Sequence, residues 1–195
     1  MCPELRGDHR GVASAGVTSD AEREEASRRR ADAAKRWQPE VVDLLIVAQT
    51  PPRALDRYFY FEDVAEHDGL FRYVAKALLG AAPSRADKPA ALAQLRDCGV
   101  FLVDVKVDPY DPRALASCVD DLVQRCTALA PRAIVLVKAD VHDVALAPLR
   151  HAGLAVVDVR VPFPGSGQQR KFEAAFARAL DAAGVTRCRR RDAGN

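Results

Sequence analysis

Four adjacent aromatic residues follow a proline-rich turn in the stretch 48–68, AQTPPRALDRYFYFEDVAEHD. Four neighbouring side chains cannot all point into a core, so we expect at least one to line a pocket or a surface platform. An aromatic face stacks on a nucleobase with a free energy of about 1–3 kcal/mol. The alternative is that these rings only fill the core or cover the next helix. The run consists of Tyr58, Phe59, Tyr60 and Phe61.

The stretch 160–172, RVPFPGSGQQRKF, has a composition suited to binding an anion. Its prolines stiffen the chain, and its glycines permit a close approach of the backbone. A helix that begins near Gln168 would present free N–H groups to a phosphate. Gln168 and Gln169 exclude the GxxxxGK[ST] phosphate loop, because that motif needs other residues there. A tight loop without a ligand is the alternative.

A third polar group follows the aromatic run and comprises Asp63, Glu66, His67 and Asp68. His67 is a candidate general base, and Asp63 or Glu66 is a candidate catalytic carboxylate. The alternative is that these residues cap a helix and place negative charge in its first turn, where the helix dipole favours it. We expect no metal here, because no second histidine lies at ligand spacing.

Short apolar runs alternate with amphipathic stretches along the rest of the chain. Almost continuous apolar runs are typical of buried parallel strands, and Asp68 is placed to cap the helix that follows it. The pattern predicts strands at 41–48, 100–107, 133–138 and 154–161, and helices at 69–80, 89–97, 112–129, 141–151 and 168–183.

This alternation predicts an α/β protein, a three-layer α/β/α arrangement with a four-stranded parallel central sheet. Ligands of open α/β sheets bind beyond the carboxyl ends of the strands. The segments that follow those ends are therefore the candidates for function: 49–67, 104–112, 138–143 and 160–171.

Composition and charge divide the chain into three parts. Residues 1–38 are predicted to be an extension, disordered over 1–18 and then a polar helix capped by Ser19. This helix is either a solvated appendage or a partner-binding element. Residues 39–186 form the globular domain and have no basic excess. The tail 187–195 holds four Arg and one Asp, which either contact DNA phosphates or are simply solvated.

The composition of the 195 residues excludes several classes of protein. No run of about 18 apolar residues is present, so we expect no transmembrane helix and no membrane partner. The first thirty residues lack the apolar core of a secretory signal. Five scattered cysteines without a CxxC pair indicate structural thiols in a reducing compartment. We therefore expect a cytoplasmic monomer without cofactors.

The AQTPP turn, the aromatic residues after it and the closing PFPGSGQQ loop resemble the motifs of the uracil-DNA glycosylase superfamily. The resemblance spans residues 41–183. It implies a four-stranded parallel sheet with helices on both faces, DNA as the partner, and a base flipped out of the helix as the substrate. Some members carry an iron–sulfur cluster on four cysteines, but the cysteine spacing here does not resemble that pattern.

The resemblance also implies roles for individual residues. Gln49 and Thr50 occupy the turn that positions water against the sugar. Phe59 or Phe61 would stack on the base, and Asp104 stands where the family has an asparagine that reads the base edge. Pro51 and Phe163 would complete the base site. The closing loop would enter the minor groove, with Gln168 or Gln169 filling the vacated stack: Pro162, Pro164, Gly165, Ser166, Gly167, Gln168, Gln169 and Lys171.

Three features depart from the family pattern. Gln49 or Thr50 can hold water, but neither can act as a carboxylate base. Val161 replaces the histidine that stabilises the leaving base, so Arg160 or Lys138 would have to take that role, and His142 is a poorer candidate. Asp104 replaces an asparagine, and an ionised carboxylate only accepts hydrogen bonds. A protonated Asp104, or one that faces an amino group, would suit a different base.

The sequence therefore predicts a DNA glycosylase-like protein that hydrolyses the N-glycosidic bond of a flipped, deaminated base, uracil or a related one. The alternative is a non-catalytic protein that binds a nucleobase, a nucleotide or DNA on the same scaffold. A third hypothesis is an unrelated doubly wound protein that binds a phosphorylated small molecule. It accounts for the PGSGQQ loop but not for the aromatic run.

Overall fold

A computed structural model of the chain describes residues 19–64, 68–186 and 188. The first predicted strand forms the centre of a parallel sheet, and all five residues of β1 (Leu44–Ala48) are buried. β1 pairs with β2 (Val100–Asp104) on one side and with β3 (Ala133–Leu136) on the other. The fold is therefore α/β, with a three-stranded parallel sheet in the order β2-β1-β3.

The prediction of a fourth strand is wrong, because residues 154–161 form only two isolated bridges to the third strand and its continuation. Val156 and Val161 make these bridges, opposite Ile134 and Val137. The Val156 N–H donates to Leu154 O at 3.0 Å, and its carbonyl accepts from the Arg150 guanidinium at 3.1 Å. These groups face away from β3, and the bridge is made by the neighbours of Val156: Ile134 N–H donates to Ala155 O at 2.8 Å, and Val157 N–H donates to Ile134 O at 2.9 Å. No continuous ladder links this bridge to the one at Val161.

Helices form in the connections between the strands, as the sequence predicts. The helix predicted at 69–80 begins after Asp68, whose carboxylate accepts from Leu70 N at 2.9 Å, and ends at Gly80 with φ 90°. The helix predicted at 112–129 starts later, because a 3-10 turn at Leu115–Cys118 precedes it. The helices are α1 (Asp20–Arg36), α2 (Gly69–Leu79), α3 (Lys88–Asp97), α4 (Val119–Leu129), α5 (Ala139–His151) and α6 (Gln169–Ala182).

The helices pack in two groups, α2 with α3 and α6, and α4 with α5. The connection from β1 to β2 crosses the sheet in one direction, and the connection from β2 to β3 returns in the other. Since crossovers between parallel strands are right-handed, these two connections run over opposite faces. We infer that the two helix groups cover the two faces of the sheet.

α1 packs on the body through a buried cation. Ser19 caps it in a capping box with Glu22. The buried Arg30 guanidinium donates to Pro52 O at 3.0 Å and to Arg53 O at 3.2 Å. This contact fixes the helix against the turn that follows β1. The segment 1–18 and the tail 187–195, apart from Cys188, lie outside the described residues.

No helix in the described part of the chain has the length and the apolar character needed to cross a bilayer.

Candidate functional site

A cavity of about 480 Å³ opens at the carboxyl edge of the sheet. Its wall combines residues from all four predicted functional segments, and seven of the predicted site residues belong to it. Those seven are Gln49, Thr50, Pro51, Phe59, Asp104, Lys138 and Phe163; the remaining wall residues are Ala48, Pro52, Arg53, Tyr58, Asp68, Leu70, Leu102 and Pro109.

The strand register explains why these segments meet. Ala48, the last residue of β1, pairs with Asp104, the last residue of β2. On the other side Val47 pairs with Leu136 of β3, so Lys138 emerges at the same edge. The carboxyl ends of parallel strands lie together, and side chains placed just beyond them share one site.

Lys138 and Gln49 are joined directly across this edge. The Lys138 ammonium donates to Gln49 Oε1 at 2.5 Å and lies 3.0 Å from Asp140 Oδ2. The Gln49 amide donates to the same Asp140 oxygen at 2.7 Å. The Lys138 ammonium therefore lies at the cavity wall with one charged partner and one neutral partner.

The Lys138 backbone has φ 87° and ψ 138°, a conformation that residues other than glycine rarely adopt. Its N–H donates to Val161 O at 2.8 Å, which ties it to the fourth segment. Residues with a strained backbone of this kind cluster at functional sites, and each costs on the order of 1–3 kcal/mol of stability. The strain at Lys138 thus supports a role for its side chain beyond folding.

The aromatic run divides between the core and the cavity. Phe59 is buried, lines the cavity and packs edge-on against Phe71 with ring centroids 5.3 Å apart. Phe61 instead packs on Tyr58 at 5.0 Å and lines a separate surface cavity, where Arg29 lies over its ring. Of the two predicted stacking residues, the structure therefore brings only Phe59 to this site.

Tyr60 fixes the aromatic loop to the sheet. Its buried hydroxyl accepts from Leu102 N at 2.6 Å and donates to Leu102 O at 2.9 Å. β2 is an edge strand, so the hydroxyl takes the place of a further strand at this residue. This contact sets the aromatic loop close to Asp104.

Asp104 is half-buried at the cavity wall and makes no hydrogen bond or ion pair with the described residues. Burial raises its pKa to about 8. The charge of Asp68 raises it further, whereas Arg125 and Arg30 oppose the shift. Near neutral pH this carboxyl is therefore mostly protonated, with one donor and one acceptor.

Asp68 is a second carboxyl in the same cavity. Burial raises its pKa to about 6, while its hydrogen bond from Leu70 and the charge of Lys88 lower it. Lys88 is fully buried, donates to Tyr58 O at 2.9 Å and lies 4.7 Å from the centroid of the Phe71 ring. Asp68 thus ionises first, and its negative charge then disfavours ionisation of Asp104.

The closing loop contributes one side chain to the cavity. Phe163 is 43% exposed, and an added Cβ at Gly165 would lie 3.2 Å from its ring. Ser166 and Gly167 follow with φ 48° and φ 78°, which form the sharp turn before α6. The other predicted DNA-contacting residues lie outside the cavity wall: Pro162, Pro164, Gly165, Ser166, Gly167, Gln168, Gln169 and Lys171.

Three other candidate residues do not join the cavity. Arg160 is exposed and paired with Asp143 in a short contact. His142 contacts Asp158 at 3.1 Å. Asp63 is exposed and lines the separate surface cavity instead. Glu66 and His67 lie outside the described residues.

Tyr58 and Asp68 also line the cavity, although the residues that the resemblance picks for stacking are Phe59 and Phe61, and Asp68 is expected chiefly as a helix cap. The aromatic run, which includes Tyr58, could be recognised in the sequence. Which of its four adjacent rings line the cavity depends on packing in the folded chain. Asp68 does cap α2, and the same position places it at the cavity. No sequence signal marks Lys88 or Arg30, whose burial follows from tertiary contacts alone.

The described residues contain no group of three or more His, Cys, Asp or Glu side chains that could hold a metal ion. Cys118 and Cys126 are buried, and Cys98 and Cys188 are half-buried.

No protein-family model matches this chain, and no curated protein matches its sequence.

Proposed function

We propose that this chain is a divergent relative of the uracil-DNA glycosylase superfamily, which binds an extruded DNA base in the cavity and hydrolyses its N-glycosidic bond. One observation carries the proposal: a single cavity gathers Gln49, Phe59, Asp104 and Phe163, although they lie far apart in the sequence. These are residues that the resemblance associates with water, stacking and base recognition.

The position of the 154–161 segment also supports this relationship. Its bridges at Val156 and Val161 place it parallel to β3, on the side away from β1. The segment therefore runs beside β3 without forming a strand, and Lys138 N–H donates to its end at Val161. This is the position from which the closing loop reaches the cavity.

The cavity is large enough to admit a nucleobase, and its lining suits one. Its volume of about 480 Å³ lies within the range of small-molecule sites. Apolar rings from Tyr58 and Phe59 lie in the same wall as the polar groups of Gln49 and Asp104. A flat aromatic ligand with a polar edge matches that combination.

The reaction needs a water, a proton acceptor and a charge to stabilise the leaving base. Water bound at Thr50 would attack C1′ of the sugar while the bond from C1′ to the base nitrogen breaks. The electron pair of that bond leaves with the base, whose negative charge Lys138 stabilises. The ionised Asp68 accepts the proton of the water, a role suited to its pKa of about 6.

A glycosylase panel tests the proposal. Single- and double-stranded oligonucleotides that carry uracil, hypoxanthine, xanthine or a thymine mismatch are incubated with the protein and then cleaved with alkali. We expect strand scission at one modified base and loss of scission in Asp68→Asn and Lys138→Ala. Asp97→Asn, an exposed substitution at the end of α3, is the matched control and should keep full scission. Absence of scission with every base contradicts hydrolysis.

A non-catalytic base-binding protein is the second candidate, and one observation favours it. Lys138 is held by Gln49 and Asp140, and Arg160 is held by Asp143. Each cation already has a carboxylate partner, so neither is free to stabilise a leaving base. Salt-sensitive binding of the same strands without scission supports this alternative.

A further inference from the structure

Two cysteines that lie far apart in the sequence meet in the folded chain. The thiols of Cys98 and Cys188 are in hydrogen-bond contact. Both residues are half-buried, and both pack against the hydrophobic core. Neither belongs to the wall of the cavity at the carboxyl edge of the sheet, so this contact serves no step of the proposed reaction.

Hydrogen bonds of the backbone hold both cysteines in place. Cys98 ends α3, and its N–H donates to Gln94 O at 3.0 Å. Cys188 follows α6, and its N–H donates to Leu78 O, in the last turn of α2, at 2.9 Å. Since α2 packs against both α3 and α6, the packing of this helix group brings the two thiols together.

The other described cysteines are not placed to form the same bond. Cys118, at the start of α4, directs its thiol to Asp111 Oδ2 at 3.7 Å and to Ala114 O at 3.6 Å. Cys126 lies about two turns further along α4, a rise of about 12 Å, which is too far for a disulfide with Cys118. α4 also belongs to the other helix group, away from α3 and α6.

The two thiols in contact differ in reactivity. Burial raises the pKa of the Cys188 thiol, and its hydrogen bond with Cys98 raises it further. Cys188 therefore keeps its proton and donates it to the sulfur of Cys98, and such a donor stabilises a thiolate there. Because the thiolate is the nucleophile, Cys98 reacts first with an oxidant, and Cys188 is the thiol that resolves the product.

We propose that Cys98 and Cys188 form a reversible disulfide when the protein meets a hydroperoxide. The Cys98 sulfur attacks the terminal peroxide oxygen, the O–O bond breaks, and the leaving alkoxide takes the Cys98 proton, which yields an alcohol and a sulfenic acid. The Cys188 sulfur then attacks the sulfur of that acid, and the hydroxyl leaves with the Cys188 proton as water. The two thiols thus lose two electrons and two protons, and one hydroperoxide is reduced.

The disulfide would have two structural consequences. It closes a long loop that runs from the end of α3, through β2 and β3, to the segment after α6, and such a cross-link restricts the unfolded chain. It also ties to α3 the residue that precedes three consecutive arginines, Arg189, Arg190 and Arg191. A thiol reductant reverses both effects by thiol–disulfide exchange.

The test treats the reduced full-length protein with an equimolar amount of hydrogen peroxide and then blocks the remaining thiols with N-ethylmaleimide. Cleavage before aspartate places each of the five cysteines in a separate peptide. Mass spectrometry should find one linkage, between the peptides 97–103 and 181–191, and dithiothreitol should release it. The melting temperature of the oxidised protein should be higher by about 10 °C than that of the reduced protein.

Cys98→Ser should show neither the linkage nor the rise in melting temperature. Cys118→Ala, a substitution in the other helix group, is the matched control and should show both. Oxidation of Cys98 to a sulfinic acid, a linkage to any other cysteine, or no loss of free thiols overturns the proposal. The same linkage formed equally fast in urea-unfolded protein also overturns it, because the folded contact would then play no part.

Discussion

The Tyr60 hydroxyl holds both backbone hydrogen-bonding groups of Leu102, with distances of 2.6 Å to the nitrogen and 2.9 Å to the oxygen. One side chain thus closes the edge of β2 and anchors the aromatic loop two residues before Asp104. The cavity depends on this contact, since the loop supplies its aromatic wall.

Tyr60→Phe removes the hydroxyl and leaves the N–H and C=O of Leu102 unpaired in a buried position. Such groups cost about 1–3 kcal/mol, so we expect the free energy of unfolding to fall by about 2 kcal/mol. Urea denaturation measures the change. Tyr73→Phe is the matched control, because the Tyr73 hydroxyl has no hydrogen bond with the described residues, and it should change stability by less than about 0.5 kcal/mol. Equal effects of the two substitutions contradict the anchoring role.

Asp104→Asn should change how stability depends on pH. The folded state holds the Asp104 proton up to about pH 8, whereas the unfolded chain releases it near pH 4. The folded wild type therefore loses stability as the pH rises between these values. The asparagine variant lacks this loss, and above pH 8 we expect it to be more stable by about 2 kcal/mol, after allowance for partial exposure. Urea denaturation at several pH values measures the free energy of unfolding of both proteins. The same pH dependence in the wild type and in Asp104→Asn would refute the raised pKa of Asp104.

Phe163→Ala tests the exposed ring at the mouth of the cavity. Stacking on a base contributes about 1–3 kcal/mol, so the affinity for a base-containing strand should fall about tenfold. The melting temperature should stay the same, because the ring is 43% exposed. Val41→Ala removes a 60% exposed side chain next to the opposite edge of the sheet and should leave affinity unchanged. Unchanged affinity in Phe163→Ala excludes the stacking role.

Gly165→Ala tests whether the closing loop positions that ring. The new methyl would lie 3.2 Å from the Phe163 ring and would displace it by a few tenths of an ångström. We expect strand affinity to fall by about threefold, with little change in stability. In a Phe163→Ala background the same change should have no effect, because the ring it displaces is gone. A similar loss in both backgrounds would place the effect elsewhere in the loop.

Lys138→Gly and Lys138→Ala separate the side chain from its backbone. Both variants remove the ammonium, so both should lose scission activity. Only glycine adopts a φ of 87° without strain, and we expect Lys138→Gly to be more stable than Lys138→Ala by about 1 kcal/mol. Thermal denaturation compares them. An alanine variant as stable as the glycine variant shows that this backbone stores no strain.

The positions of the strand ends could be predicted from the sequence, and most of the cavity wall follows from them. Gln49, Asp104 and Lys138 come directly after apolar runs, and parallel strands bring such positions to one edge. The segment 154–161 has the same apolar pattern as the three strands, but it does not form a strand. It forms only isolated bridges, at Val156 and Val161, and the periodicity of the sequence does not distinguish such bridges from a continuous ladder.

The charge states of the site also lie beyond sequence reasoning. An isolated Asp104 and an isolated Asp68 are both ionised near neutral pH. They differ here because burial raises the pKa of both carboxyls, and because Asp68 has the Leu70 N–H and Lys88 to support its charge while Asp104 has no hydrogen bond within the described chain. Lys88 is the first residue of α3 and lies far from Asp68 in the sequence, so only the folded chain brings its charge to that carboxyl.

The central place of β1 sets the order in which the molecule can fold. β1 is synthesised before both of its neighbours, and its pairing with Asp104 and Leu136 spans long stretches of chain. Non-local pairings are slow, because the loop must close before any contact compensates the lost entropy. On the ribosome, β1 therefore has no strand partner until β2 has emerged, and it keeps one unpaired edge until β3 follows. During this interval the strand is exposed to aggregation and to chaperones.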